Sequence, residues 1–174
     1  MLEIDGSYGE GGGQIVRYAA ALATHTQTPI HITNIRANRP NPGLRPQHYA
    51  ALHFLQQLSH AETEGINVGS EEVTFTPGPI IPGSYKYDIG TAGSITLVYQ
   101  ACLLAVHTIK KPLTISLIGG TDVRWAPSWD YFTYVFLPTL QKLGITTKPH
   151  LIQRGYYPKG GGETELIINP ITKI

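Results

Sequence analysis

The 174 residues read as one unit written twice. The first copy runs strand (Leu2–Gly6), helix (Gly12 to about Thr26), strand (Ile30–Arg36), helix (about Gly43–Leu58), then two strands (about Ala61–Val68 and Val73–Thr76). The second runs strand (Tyr85–Ile89), helix (about Gly93–Thr108), strand (Leu113–Ile118), helix (about Ser128–Leu143), then two strands (about Thr146–Tyr157 and Glu163–Ile168). Corresponding points align. Pro29-Ile30-His31-Ile32 matches Pro112-Leu113-Thr114-Ile115, and Gly12-Gly13-Gln14 matches Ala92-Gly93-Ser94. A duplicated unit of this order predicts an α+β fold of two tandem βαβαββ repeats, over residues 1–80 and 81–174, each a small sheet with two helices.

Hydrophobic spacing supports the elements. Ala51, Leu55 and Leu58 make one apolar helical face, as do Phe132, Val135, Phe136, Leu140 and Leu143. The third helix is apolar almost all round and is expected to be buried between layers. In the last strand Thr164, Leu166 and Ile168 alternate with Glu163 and Glu165, so the two sets face opposite ways.

Charge narrows the chemistry. The formal net charge of +1 announces no nucleic-acid binder by itself, so such a role has to come from a local cluster. The first 85 residues contain four arginines and no lysine. Arg36, Arg39 and Arg45 fall within ten positions. Arginine without lysine favours bidentate recognition of phosphate or carboxylate. The one cysteine, Cys102, lies in an apolar run and reads as a core thiol, which excludes an internal disulfide or a cysteine zinc site. No signal peptide or membrane-length apolar run appears, which predicts a soluble protein of the cytoplasm, or of the nucleus in a eukaryote, with no membrane role.

Four groups carry chemistry. Gly9-Glu10-Gly11-Gly12-Gly13-Gln14 opens a helix, with Arg17 one turn further on. Bare amide groups there suit an anion, and the flanking acid suits a metal–phosphate group; the alternative is a flexible structural turn. The loop lacks the lysine of a P-loop and the third glycine of a dinucleotide-binding turn. The second group is Arg36-x-x-Arg39 followed by Pro42-Gly43-Leu44-Arg45-Pro46-Gln47-His48. It reads either as a phosphate clamp or as a proline-rich loop whose arginines pair with surface acids. The third, Gly90-Thr91-Ala92-Gly93-Ser94 with Gln100, is a second anion site or a helix-packing loop. The fourth, Gly119-Gly120-Thr121-Asp122-Val123-Arg124-Trp125-Ala126-Pro127, offers flat surfaces on which a nucleobase would stack, or a tryptophan that plugs an interface. His25, His31, His53, His60, His107 and His150 have no metal-ligand spacing, and no Ser-His-Asp or HExxH pattern occurs.

Taken with Arg154-Gly155-Tyr156-Tyr157-Pro158-Lys159-Gly160-Gly161-Gly162-Glu163, these motifs resemble the RNA 3'-terminal phosphate cyclase family, in order and spacing over nearly the whole chain. The resemblance implies repeated units like the C-terminal domain of translation initiation factor 3. It implies ATP-dependent conversion of an RNA 3'-phosphate to a 2',3'-cyclic phosphate. A histidine is adenylylated on nitrogen, AMP passes to the RNA 3'-phosphate, and the 2'-hydroxyl then displaces AMP. By the same resemblance Glu10 helps hold a divalent metal, Mg or Mn. Arg17, Arg36, Arg39, Gln47 and His48 contact phosphates, while Gln100 and Pro127 line the nucleotide pocket. The repeat itself, with its glycine- and arginine-bearing loops at one end of the sheet, predicts Glu10, Arg36, Arg39, Gln47 and Gln100 near one cleft.

The resemblance also carries a departure. Family members are about twice as long, with a third repeat and a small inserted domain, and their adenylylated histidine lies in that third repeat. No position here matches it, and His48 matches a binding position. The expectation is the N-terminal portion of a cyclase, inactive alone and completed by a C-terminal portion of the same protein or by a second copy. The alternative is a non-catalytic cyclase-like RNA-binding or ribosome-assembly factor.

Overall fold

The structure is a computed structural model, described for residues 1–106 and 109–170. His107 and the expected helix end at Thr108 lie outside these residues, as does the terminal run after Pro170. The described residues hold β1 (Leu2–Asp5), α1 (Gly13–Thr26), β2 (Ile30–Thr33), α2 (Pro46–Ser59), β3 (Glu62–Glu64) and β4 (Val73–Thr76). Then come β5 (Ser84–Asp88), α3 (Ile95–Ala105) and β6 (Leu113–Gly119). A segmented helix follows: α4 (Trp129–Tyr131), a π-helical turn (Phe132–Phe136) and α5 (Leu137–Gln141). The last elements are β7 (Thr147–Gln153) and β8 (Gly162–Ile168). Two four-stranded sheets result, ordered β1-β2-β4-β3 and β5-β6-β8-β7. In each, the first pair is parallel and the other pairs are antiparallel. The sequence repeat is therefore a repeat of topology, two βαβαββ-like units in an α+β fold.

By contacts the first unit comprises Met1–Ile80 and Ala101–Val106, and the second comprises Ile81–Gln100 and the described residues from Ile109 to Pro170. In the first, alternation along β2 and β4 sends Ile30, Ile32, Val73 and Phe75 inward against Val16 and Ala20 of α1 and Leu52 and Leu55 of α2. Each buried Val, Leu, Ile or Phe among them contributes roughly 1.5–3 kcal/mol. Both helices end on a residue in the left-handed conformation, Gln27 (φ 54°) and His60 (φ 49°), whose N–H groups bond back to Ala23 and Gln56 carbonyls.

The opposite face of this sheet is polar. His31 on β2 lies between Glu3 (2.7 Å from Nδ1) and Glu72 (2.6 Å from Nε2). The hydrogen bonds to Glu72 and Glu3 raise its pKa. A raised folded pKa means the stabilisation is fully present below the ordinary value of 6.5 and is lost as pH rises through the folded pKa. Urea unfolding is therefore expected to show stability declining as pH rises above 6.5 in the native chain and not in His31→Gln. Identical profiles in the two proteins would remove His31 as the cause.

In the second unit the buried hydroxyl of Tyr99 on α3 donates to the Ile115 carbonyl at 3.0 Å and lies 3.1 Å from Thr164 Oγ1, fixing the helix to two strands. Its ring stacks on Phe132 at 5.7 Å. α3 is buried nearly all round, and Cys102 within it is fully buried, with its thiol pKa pushed up by desolvation. Thr164, Leu166 and Ile168 are likewise buried, as their alternation requires.

The expected single helix from Ser128 to Leu143 is corrected. Leu137 N–H bonds to Phe132 O, which inserts a residue into the turn. The inserted residue rotates the later side chains by about 100°. Leu137 is buried in consequence, while Val135 and Leu143 are 47% and 56% exposed and leave the apolar face read from the sequence. Pro138 marks the break, since it has no N–H to give to the preceding turn. β2 and β3 are shorter than expected, and the residues after β2 form the arginine loop instead.

Candidate phosphate site

β1 delivers the chain into the glycine loop. Gly6 N–H bonds to Thr33 O at 2.8 Å, and the Asp5 carboxylate accepts from the Ser7 N–H and hydroxyl at 2.9 and 2.7 Å. Gly9 and Gly11 then take φ of 61° and 60°, a region open to glycine without strain. α1 starts from an extended Gly12 with no side-chain cap and no acid in its first turn. A helix start left this way favours an anion. Gly13 is needed for another reason. A Cβ there would lie 1.9 Å from Nε2 of His48, so the imidazole packs directly on the first turn of α1.

The second loop is set by β2 and α2. Arg36 has φ 59°, a strained conformation for a residue with a Cβ, of the kind that collects at binding sites. It is held there by Arg39 N–H to Arg36 O (2.9 Å), Gly43 N–H to Ile35 O (2.7 Å) and Leu44 N–H to Ser70 O (2.9 Å). α2 begins after Arg45, which places half-buried Gln47 and buried His48 in its first turn. Arg45 N–H donates to His48 Nδ1 at 3.2 Å, so the ring proton sits on Nε2.

The electrostatics of the site are one-sided. Arg17 is 7% exposed, and its Nε has no hydrogen-bond partner among the described residues; the same holds for Nε of Arg36 and Arg39. Burial lowers the pKa of Arg17, and burial together with Arg39 and Arg45 lowers that of Arg36. His48 is driven to about 4 by burial and by the charges of Arg17, Arg36 and Arg45. Among the described residues the one carboxylate paired here is Glu10, 3.1 Å from Arg39 and 89% exposed. Four guanidinium groups against one solvated acid leave a site that attracts a multivalent anion with oxygens to share. Arg45, outside the set expected to bind phosphate, acts on both His48 and Arg36; its place in the lysine-free arginine cluster was the available signal.

The sign of the His48 shift gives a prediction. A His whose pKa falls on folding opposes the folded state as pH drops, because the unfolded chain takes the proton first. Stability is expected to decline as pH falls from 6.5 towards about 4, and His48→Gln is expected to flatten that limb in urea unfolding. A variant with the native slope would show that the ring is not buried neutral.

A divalent ion fits this site only in part. Among the described residues no group of three His, Cys, Asp or Glu stands ready as a cage. Glu10 alone is a fit for Mg or Mn held by one carboxylate, phosphate oxygens and water.

In the second unit, Ser94 Oγ accepts from Leu97 N–H at 3.3 Å and caps α3. Thr96 Oγ donates to the Pro127 carbonyl at 2.8 Å and ties that loop to α3. Half-buried Gln100 lies four residues beyond Thr96 and so on the same helix face. Gln100 and Pro127 thus flank one side of α3. Trp125, by contrast, is 91% exposed with φ 66°, and the Arg124 guanidinium lies 5.5 Å from its ring centroid. No helix among the described residues is long and apolar enough to cross a membrane.

Residues 8–174 match the model of the family described as RNA 3'-terminal phosphate cyclase. Proteins of that name from Pyrococcus furiosus and Archaeoglobus fulgidus are 53% and 48% identical over 170 residues, 98% of this chain and 50% and 52% of their own lengths. A third, from Nitrosospira multiformis, is 49% identical over the same share of this chain and 48% of its own. The chain spans about half the length of these relatives. With matched sequence over both βαβαββ-like units, the chain belongs to the RNA 3'-terminal phosphate cyclase family.

Proposed function

We propose that this chain supplies the phosphate- and nucleotide-binding part of an ATP-dependent RNA 3'-phosphate cyclase. The observation that carries the reading is the buried Arg17 with an unpartnered Nε, beside Arg36, Arg45 and neutral His48. Such a group is costly to bury unless an anion completes it. Arg17, Arg36, Arg39, Gln47 and His48 hold phosphate groups, with His48 donating from Nε2. Gln100 and Pro127 line the pocket for the nucleotide. Glu10 would hold a divalent ion, and that ion would supply charge neutralisation.

In this reading a histidine outside the 174 residues attacks the α-phosphorus of ATP and releases pyrophosphate. The AMP moves to the RNA 3'-phosphate and frees the histidine. The 2'-hydroxyl then attacks the 3'-phosphorus, its proton leaves, and AMP departs as the cyclic ester closes. The arginines orient the end and neutralise its charge, so their contribution is positioning and electrostatics. The chain alone is then inactive, needing a further segment or partner for the nucleophile.

The test is a chimera in which this chain replaces the matched half of the Pyrococcus furiosus relative. It is expected to cyclise RNA 3'-phosphate with ATP, while the chain alone takes no covalent label from ATP. Arg39→Ala in the chimera is expected to weaken use of the 3'-phosphate by about 1.5–3 kcal/mol and to spare self-adenylylation. A folded chimera that binds RNA but takes no label would favour a non-catalytic RNA-binding or ribosome-assembly role. Equal loss in both steps would place Arg39 on the ATP side.

A further inference from the structure

The second unit carries a group of loops outside the arginine site, one of which also bears Pro127 of the proposed nucleotide pocket. They meet at the end of the sheet where β5 and β6 run out. Thr121 N–H donates to Gly155 O at 2.8 Å, and Gly155 N–H donates to Thr121 Oγ at 3.0 Å. A Cβ on Gly160 would lie 2.6 Å from Thr91 O, and one on Gly120 would lie 2.5 Å from Ala92 O. The loops after β5, after β6 and between β7 and β8 are therefore packed backbone to backbone. Glycine is what permits this approach.

From this firm base the chain presents aromatic rings to solvent. Trp125 is 91% exposed, Tyr157 82% and Tyr156 54%. Trp129, four residues after Trp125, is 3% exposed in the core. One tryptophan is packed, and the other is displayed on a left-handed backbone that a side chain of its size rarely adopts. The surface charge is also sorted. Arg154 takes both nearby acids, Asp122 at 3.0 Å and Asp130 at 2.6 Å. Arg124 and exposed Lys159 have no carboxylate partner among the described residues. Displayed rings interleaved with uncompensated cations are what single-stranded nucleic acid uses: bases stack and phosphates pair, with little sequence preference.

We propose that these loops form a stacking platform for the bases of single-stranded RNA upstream of its 3' end, with Trp125 as the central ring and Arg124 and Lys159 engaging phosphates. The proposal rests on the reading of this chain as part of an RNA-end enzyme. The platform grips the body of the strand.

Tryptophan emission tests it, because Trp125 is the exposed fluorophore and Trp129 the buried one. A short oligoadenylate ending in a 3'-phosphate is expected to quench the exposed component in the 174-residue chain and not in Trp125→Leu. That variant is expected to bind the oligomer about tenfold more weakly and pyrophosphate equally well, and an abasic ribose-phosphate oligomer is expected not to distinguish the two proteins. Arg124→Gln is expected to weaken oligomer binding and to reduce its salt dependence. Absence of quenching, or equal oligomer affinity in Trp125→Leu, would overturn the proposal. Quenching by ATP alone would also overturn it and assign the ring to the nucleotide pocket. A blue shift with protein concentration in the absence of RNA would assign it to a protein contact. Retained pyrophosphate binding in a chain that the oligomer does not quench would leave the cyclase reading standing. Loss of both would remove the two together.

Discussion

Replacing Arg17 with methionine is expected to cut pyrophosphate and ATP affinity by about 10- to 100-fold, the loss of a charge-assisted contact worth roughly 1.5–3 kcal/mol. The same substitution is expected to raise the stability of the free chain by about 1 kcal/mol. Both effects have one cause. Arg17 is held 7% exposed with an unpartnered Nε, and burial alone disfavours its charge. Methionine fills similar space without that penalty. Calorimetric titration reads the first effect and urea unfolding the second. A less stable variant would show that the guanidinium holds the fold together, and unaltered affinity would place the anion elsewhere.

Gly43→Ala is expected to destabilise the first unit by about 3 kcal/mol or more. Gly43 has φ 75°, and a Cβ would stand 2.2 Å from the carbonyl oxygen of Gly69. That neighbour is backbone, which cannot swing aside as a side chain end can. Gly43 N–H also closes the arginine loop on Ile35 O at 2.7 Å. The substitution is therefore expected to loosen Arg36 and Arg45 together and to weaken phosphate binding even where the chain remains folded. Urea unfolding combined with pyrophosphate titration checks both effects. Stability within about 0.5 kcal/mol of native, the range of ordinary surface changes, would contradict this account of the loop.

Much of the fold was legible because the signals were local and redundant. Apolar alternation in Leu166 and Ile168, helical spacing in Leu55 and Leu58, and glycine at the loops each pointed the same way, and the repeat supplied a second reading of each element. The helix after Ser128 was misread because its apolar spacing is regular while its backbone is not. The π turn at Phe132 shifts the face, and only Pro138 hinted at it. At the site, residue types pointed to phosphate chemistry, but three features were not readable from them. The contact of His48 with Gly13, the left-handed Arg36 and the burial of Arg17 all arise when residues distant in sequence pack against one another. The same packing makes His48 a buried neutral ring that responds to its cationic neighbours.

That response offers the most direct measurement of the central claim, that the Arg17, Arg36, Arg45 and His48 cluster is a phosphate site. The pKa of the His48 ring, followed by NMR, is expected near 4 in the free chain because three arginines and burial oppose its protonation. Pyrophosphate bound among those arginines offsets their charge and accepts a hydrogen bond from the ring, so the pKa is expected to rise when it binds. In Arg17→Met the rise is expected only at about 10- to 100-fold higher pyrophosphate. A His48 pKa that starts low and does not move at saturating pyrophosphate would show that the anion does not bind among these residues, and the account would fail.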